Sequence, residues 1–406
     1  MDARETKGLH LATHAAIKQV GNGWHVPSAT GSGSYSVDYD ATKCTCDDFE
    51  IRQKPCKHIH AVRFVKAKNR GTTLPPADPT PQPRKTYKQE WPAYNAAQMC
   101  EKEVFQELLA DLCSGIHWKP RGGRGRPSVP VPDAIFSAVF KVYSTISGRR
   151  FTTDLEAAKE AGHISMAPHY NTVFGILEDV GTGLILTQLV ERSSLALRSV
   201  ETAFACDSSG FGTSKFARWF DEKYGVQKSK AEWVKCHLMT GVKSNIVSAV
   251  EVNDSGDAPM FRPLAKTTAA NFDVEEFSAD KAYSSYANLE YAEKLAAVPY
   301  VPFKVNSVAG KGPGIWDRMF AHFTLKRDAF LSHYHKRSNV ESTFSMIKRK
   351  FGDAVRSKTD VAIRNEVLAK VLCHNIVVVI HEMHELGINP GFKVLESPQV
   401  LKFPGA

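Results

Sequence analysis

The sequence predicts an α/β protein: a mixed β-sheet flanked by helices, preceded by a helical region and a small cysteine-bearing module. Three observations carry this. Short apolar runs bounded by Gly, Ser, Asn and Asp cluster after Glu201. Helical periodicity dominates residues 91–200 and returns after Ser338. Three of the eight cysteines crowd into residues 1–68.

Taken in order, residues 69–90 carry Pro75, Pro76, Pro79, Pro81 and Pro83, a density that blocks helix and sheet and predicts an extended linker. Before it, Trp24–Ser28 and Ser34–Asp38 read as a hairpin. After it come helices over about Ala96–Cys113, around Ile135–Ile146, from a capping box at Thr153–Glu156 closed by Gly162, and after Pro168. Thr202–Cys206, Trp233–Met239, Ile246–Val252, Glu276–Ala279 and Val298–Phe303 read as strands, and Ser338–Phe351 and Val361–Leu386 as long helices. The predicted domains are 1–68, 91–200 and 201–390, with a tail at 391–406.

Composition narrows the function. With 43% hydrophobic and 23% charged residues over 406 positions, the chain is able to bury a core. A formal net charge of +9 suits a polyanionic partner. Eight scattered cysteines do not make a secreted disulfide scaffold, and the N-terminal segment has no apolar signal region. The late apolar run Ile376–Ile380 falls far short of the about 20 residues of a membrane span. The expectation is a chain that is neither secreted nor membrane-bound.

Cys44, Cys46, Cys56 and His58 place four ligands within fifteen positions. Three thiols and an imidazole suit a tetrahedral structural Zn²⁺ site, with His60 as a competing fourth ligand. The spacing, followed by the apolar helical start His60–Val65, resembles the SWIM zinc finger over residues 20–66. That resemblance leaves open whether the finger contacts DNA or protein.

The strongest pattern lies further on. Tyr334, Arg337, Glu341 and Lys348 follow Y-x2-R-x3-E-x6-K. On a helix at about 100° per residue these side chains share a sector of roughly 60°, beside an apolar sector of Val340, Phe344, Ile347 and Phe351. Asp207 in Phe204–Gly210 and Asp280 in Phe277–Ser284 each close an apolar strand. Three carboxylates repel one another unless a cation or proton compensates, and hard oxygen ligands suit Mg²⁺ or Mn²⁺.

With these residues the chain from about 120 to 390 resembles a DDE transposase of the bacterial insertion-sequence type. Asn365-Glu366 and His374-Asn375 read as in that family. The resemblance implies a ribonuclease H-like sheet in which Asp207, Asp280 and Glu341 bind two Mg²⁺ (or Mn²⁺) ions. It implies strand cleavage at transposon ends and transfer of the freed 3′-hydroxyl into target DNA. Arg337 and Lys348 would contact phosphates, and Tyr334 would sit beside the transposon-end strand. The implied partner is double-stranded DNA, both terminal inverted repeats and target, bound by a homodimer in the cytoplasm of a prokaryote, at the nucleoid. The competing readings are a transposase-derived DNA-binding protein without catalysis and a nuclease that cuts without rejoining.

Secondary candidates are weaker. Lys119, Arg121, Arg124 and Arg126 form a basic, Gly-rich loop suited to phosphate contact. The helices over 133–170 are compatible with a helix-turn-helix whose recognition helix opens at His169–Thr172, or with a purely structural subdomain. Lys235 and His237 fall on the second strand near the presumed site. Gly31–Gly33 and Gly310–Gly314 lack the Lys-Ser/Thr of a phosphate loop, so ATP binding is rejected.

Overall fold

The computed structural model describes residues 3–28, 33–46, 48–49, 54–72, 90–118, 128–213, 233–304, 306–310 and 312–392. The chain divides into two compact units, Met1–Gln89 and Glu90–Ala406. The five linker prolines, the basic loop from Lys119 to Arg126 and residues 393–406 lie outside the described residues.

The first unit holds α1 (Ala3–His14), a three-stranded antiparallel sheet of β1 (Lys18–Val20), β2 (Gly23–Pro27) and β3 (Ser34–Asp38), and α2 (Lys57–Asn69). Trp24, Val26 and Val37 turn inward onto Leu11, Ile59 and Val62, a small core into which the three cysteines are folded. The helix α1 was not foreseen. It packs on α2 through Gly8, where a Cβ would lie 2.6 Å from that of His60.

The second unit opens with helices: α3 (Trp91–Ser114), α4 (Val131–Ser144), α5 (Gly148–Glu160), α6 (Tyr170–Leu177) and α7 (Val180–Ser194). Helix α3 starts five residues before the expected boundary, because Pro92 is tolerated in a first turn. Helix α5 begins at Gly148 rather than at the expected capping box. Thr153 lies inside it and donates to the Arg150 carbonyl. Nine residues separate α5 from α6, longer than the three- or four-residue turn of a helix-turn-helix. No single described helix is long and apolar enough to cross a membrane.

The sheet follows: β4 (Ala203–Gly212), β5 (Trp233–Gly241) and β6 (Val247–Val252), then α8 (Asp257–Asn271), β7 (Glu276–Ala279), α9 (Tyr286–Lys294) and β8 (Val298–Tyr300). Helices α10 (Ile315–Leu325), α11 (Arg327–Tyr334), α12 (Ser338–Phe351) and α13 (Asp360–Glu385) complete the chain. The strand order is β6-β5-β4-β7-β8, with β5 antiparallel to both β4 and β6 and the pairs β4–β7 and β7–β8 parallel.

Side chains alternate across a strand, so β4 feeds two cores. Ala205 and Phe211 join one with Val340, Phe344 and Val367 from α12 and α13. Phe204 and Cys206 join the other with Phe261, Phe277 and Leu289. Glu201, fully buried, ties down the β5–β6 turn by accepting from the backbone N–H groups of Lys243 and Ser244. The chain has to pass that carboxylate as glycine, since a Cβ on Gly241 would lie 2.5 Å from the Glu201 carboxyl carbon.

Helix α13 is the strut of the unit: it packs on α3, α4, α7 and β6 and is buried through its middle. Asn375 locks it. Its side-chain oxygen accepts from Val247 N (2.9 Å), and its amide donates to the carbonyls of Val247 (2.8 Å) and Val190 (3.2 Å) and to Ser193 Oγ (3.1 Å). Asn375→Leu leaves these buried groups unpaired and is expected to cost about 3 kcal/mol in denaturant unfolding. A loss below about 0.5 kcal/mol, the range of neutral surface changes, would show that the clasp is not stabilising.

Candidate functional site

Two groups of side chains merit chemistry. In the first unit, the loop after β3 brings Cys44 and Cys46 against Cys56, the N-cap of α2, and His58 in its first turn. All four are buried, and one ligand atom from each lies within 4.8 Å of the others. Cys44 Sγ and Cys56 Sγ stand 3.7 and 3.8 Å from His58 Nδ1. Tetrahedral Zn²⁺ with its ordinary Zn–S and Zn–N bonds predicts an edge of about 3.6 Å, so the donor set fits. The Cys56 thiol is pushed down, first by the hydrogen bond from Cys44, and the same contact pushes the Cys44 thiol up. The imidazole that joins the three thiols is that of His58, not His60. His58 stacks on Tyr35 with ring centroids 4.5 Å apart, while His60 is half-buried on the face toward α1.

In the second unit, Asp207 was expected at a strand end. It lies instead in the interior of β4, because the antiparallel ladder with β5 runs on to Gly212. Asp207 sits where the other neighbour stops: β7 pairs with β4 only as far as Cys206↔Ala279. Asp280 follows immediately, its carboxylate accepting from Lys281 N (2.6 Å) at the start of a short 3₁₀ turn. The two aspartates therefore stand side by side across the parallel pair.

Glu341 arrives from α12, on the face of β4 that carries Asp207. Arg337 joins the two acids. Its guanidinium donates to Asp207 Oδ2 (2.5 Å) and to Glu341 Oε1. Tyr334, Arg337 and Glu341 do not share one uninterrupted α-helix, as the angular count assumed. Helix α11 ends at Tyr334, a 3₁₀ turn spans His335–Arg337, and α12 begins at Ser338. Tyr334 still lies beside Arg337: burial works to lower the Arg337 pKa, but Asp207, Tyr334 and Glu341 raise it above its ordinary value. Lys348, two turns beyond Glu341, donates to Ser209 Oγ (2.7 Å) and lies over the Phe211 ring. Its pKa is lowered by burial.

The Asp207 carboxyl is pushed above the usual aspartate range. Burial is the largest cause, and the charges of Asp280 and Glu341 add to it, while Ser208 N and Arg337 oppose it. A half-buried acid among acids calls for a cation, and these three oxygen donors fit a hard divalent one. Their carboxylates are not closed to the spacing of the cysteine cluster, the sole tight set of ligand atoms among the described residues.

Lys235 and His237 do not join the carboxylates. They lie on the opposite face of the sheet, where Lys235 Nζ pairs with Asp257 Oδ1 at 2.7 Å and His237 Nδ1 lies 3.6 Å from it. Ser208 Oγ also donates to Asp257 (2.6 Å), so the start of α8 is clamped to β4 and β5 directly behind Asp207. Sequence reading missed Asp257; its place after Gly256 at a helix start was the available signal.

Residues 198–376 match the family described as Transposase DDE domain, and residues 35–62 match the SWIM zinc finger. No curated protein matches the chain. The chain thus carries a transposase DDE domain behind a SWIM zinc finger. Its five-stranded mixed sheet flanked by helices is the ribonuclease H-like fold that this domain implies.

Metal analysis provides the test of the finger. One zinc per chain is expected, lost on Cys46→Ser or Cys56→Ser. A chelator should expose residues 20–66 to protease while leaving the second unit folded. Equal protection with and without chelator would count against zinc as the organiser of this unit.

Proposed function

We propose that the protein is an active transposase that cleaves DNA at the ends of its element and transfers the freed 3′-hydroxyl into target DNA. The observation that supports this best is Arg337 bridging Asp207 on the central strand and Glu341 on α12, with Asp280 on the adjoining strand. Asp207, Asp280 and Glu341 would hold two Mg²⁺ or Mn²⁺ ions, which supply charge stabilisation for in-line phosphoryl transfer. The chain's own groups do the positioning. Arg337 offers a planar fork to a phosphate, Lys348 a cation set beside β4, and Tyr334 a ring next to Arg337. The clamp of Ser208, Lys235 and Asp257 keeps the strand that bears Asp207 rigid. The basic loop of Lys119, Arg121, Arg124 and Arg126 would add phosphate contacts, and a homodimer would hold paired terminal repeats at the nucleoid.

Nicking of a duplex carrying the element end, followed in Mg²⁺ and in Mn²⁺, tests this reading. Asp207→Asn, Asp280→Asn and Glu341→Gln are each expected to lower the rate by several orders of magnitude, since each removes charge that holds the ions. Folding should survive, because the mutual repulsion of the acids is relieved. Arg337→Ala should weaken end binding or strand transfer more than metal binding. Unimpaired cleavage by a folded Glu341→Gln protein would remove α12 from the active site. Cleavage without a joined product in wild type would leave a nuclease.

A further inference from the structure

Away from the carboxylates, a cavity of about 100 Å³ opens between α4, α6, the end of α12 and α13. Its walls include Val142, Phe174 and Phe351, and three cations border it: Lys141, Arg356 and Lys370. Glu366 is the one carboxylate in the lining, and it is already engaged. It accepts from the backbone N–H groups of Arg356 (2.9 Å) and Ser357 (2.8 Å) and lies 3.7 Å from Lys370 Nζ. Lys370 is satisfied in turn, donating to the carbonyls of Gly352 (3.0 Å) and Ala354 (2.7 Å).

Lys141 is different. It is 7% exposed, yet its ammonium makes no hydrogen bond or ion pair among the described residues, and its nearest aromatic face is Phe151 at 5.9 Å. Burial, then the charge of Arg356, lowers its pKa to about 8, partly countered by Glu366, so at neutral pH it is still a cation. A largely buried cation with no protein partner is incompletely solvated, and an anion in the cavity would relieve that. The volume is several times what one water needs and suits a group of phosphate size rather than a base. At the rim Arg356 reaches across to the Ile146 carbonyl (3.3 Å), and Arg149, Arg150 and Lys358 are exposed close by along the chain, as are Asp353 and Asp360.

We infer that this cavity is a docking site for one phosphate of a DNA backbone, with Lys141 as the internal cation and Arg356 at the rim. The inference rests on the DNA-binding reading above, and it adds an anchor on the helical side of the unit that the carboxylate site does not include. Inorganic phosphate shares the chemistry and serves as the probe.

Two arms separate the sources. In the first, thermal unfolding of the full chain is measured in inorganic phosphate and in chloride at matched ionic strength. Phosphate should raise the midpoint of the wild type and not that of Lys141→Met. In the second, binding to a non-specific duplex is measured against salt. Lys141→Met and Arg356→Gln should each weaken it about three- to tenfold and reduce the salt slope by about one. Lys141→Met removes a buried charge and should fold well; Arg356→Gln, at the exposed rim, keeps the test open if it does not. Unchanged affinity and slope in both variants would overturn the inference. A phosphate effect lost in Lys141→Met with duplex binding intact would overturn the DNA assignment in favour of free phosphate. Failure of the wild type to bind any duplex would overturn the DNA reading itself, while the phosphate arm would still decide whether the cavity takes an oxyanion.

Discussion

A carboxylate in the middle of a central strand has to be compensated, and the contact of Arg337 with Asp207 does this here. The surrounding architecture follows from that requirement. Arg337 stands in a 3₁₀ turn between α11 and α12, and the same guanidinium reaches Glu341 one helical turn later. Helix α12 must therefore lie along the Asp207 face of β4, where Val340, Phe344 and Ile347 fill the core beside it. On the reverse face, Ser208 and Lys235 converge on Asp257 and fix the same strand from behind. One residue of β4 thus belongs to each of two polar clusters on opposite sides of the sheet.

The two polar centres differ as soft and hard donors differ. Three thiols and an imidazole are grouped by the fold of a small unit whose core is thin, so a bound ion would supply a large share of its cohesion. The carboxylates sit in a unit with two large apolar cores, which stands without them. Their looser arrangement is what mutual repulsion predicts, with Arg337 occupying the space between two of them.

Much of this was readable from the chain. The cysteine–histidine cluster is marked by close spacing, Asp207 and Asp280 by the apolar runs before them and Glu341 by its Y-x2-R-x3-E-x6-K pattern, and Glu276–Ala279 and Ser338–Phe351 form the elements their patterns predict. What was not readable depended on partners distant in sequence. The end of β4 could not be placed from its own residues, since Ser208–Gly212 are polar or small apart from Phe211 and are held in the sheet by β5 and by the loop at Asp353–Val355. The break before Ser338 has no proline or glycine to announce it. Helix α5 starts at Gly148, against the local preference for the Thr153 capping pattern, because Phe151 is drawn into the core. Asp257 carries only the weak signal of an acid at a helix start; its meaning appears only when α8 folds back onto β4.

The early end of β7 has a topological consequence. Beyond Cys206 that edge of β4 is free of β7, and it is taken up again only at Gly212, whose amide donates to the Asp353 carbonyl (3.1 Å) and whose carbonyl accepts from Val355 N (2.9 Å). Between those points the sheet parts like a zip opened at one end. Asp207 stands at the slider, Asp280 on one tape, and the chain leaving α12 on the other. Such a parting at the carboxyl ends of parallel strands is where open α/β sheets admit their ligands. An extended polymer entering it would run along an edge of β4 that β7 has left, with Asp207 and Asp280 where the two strands part.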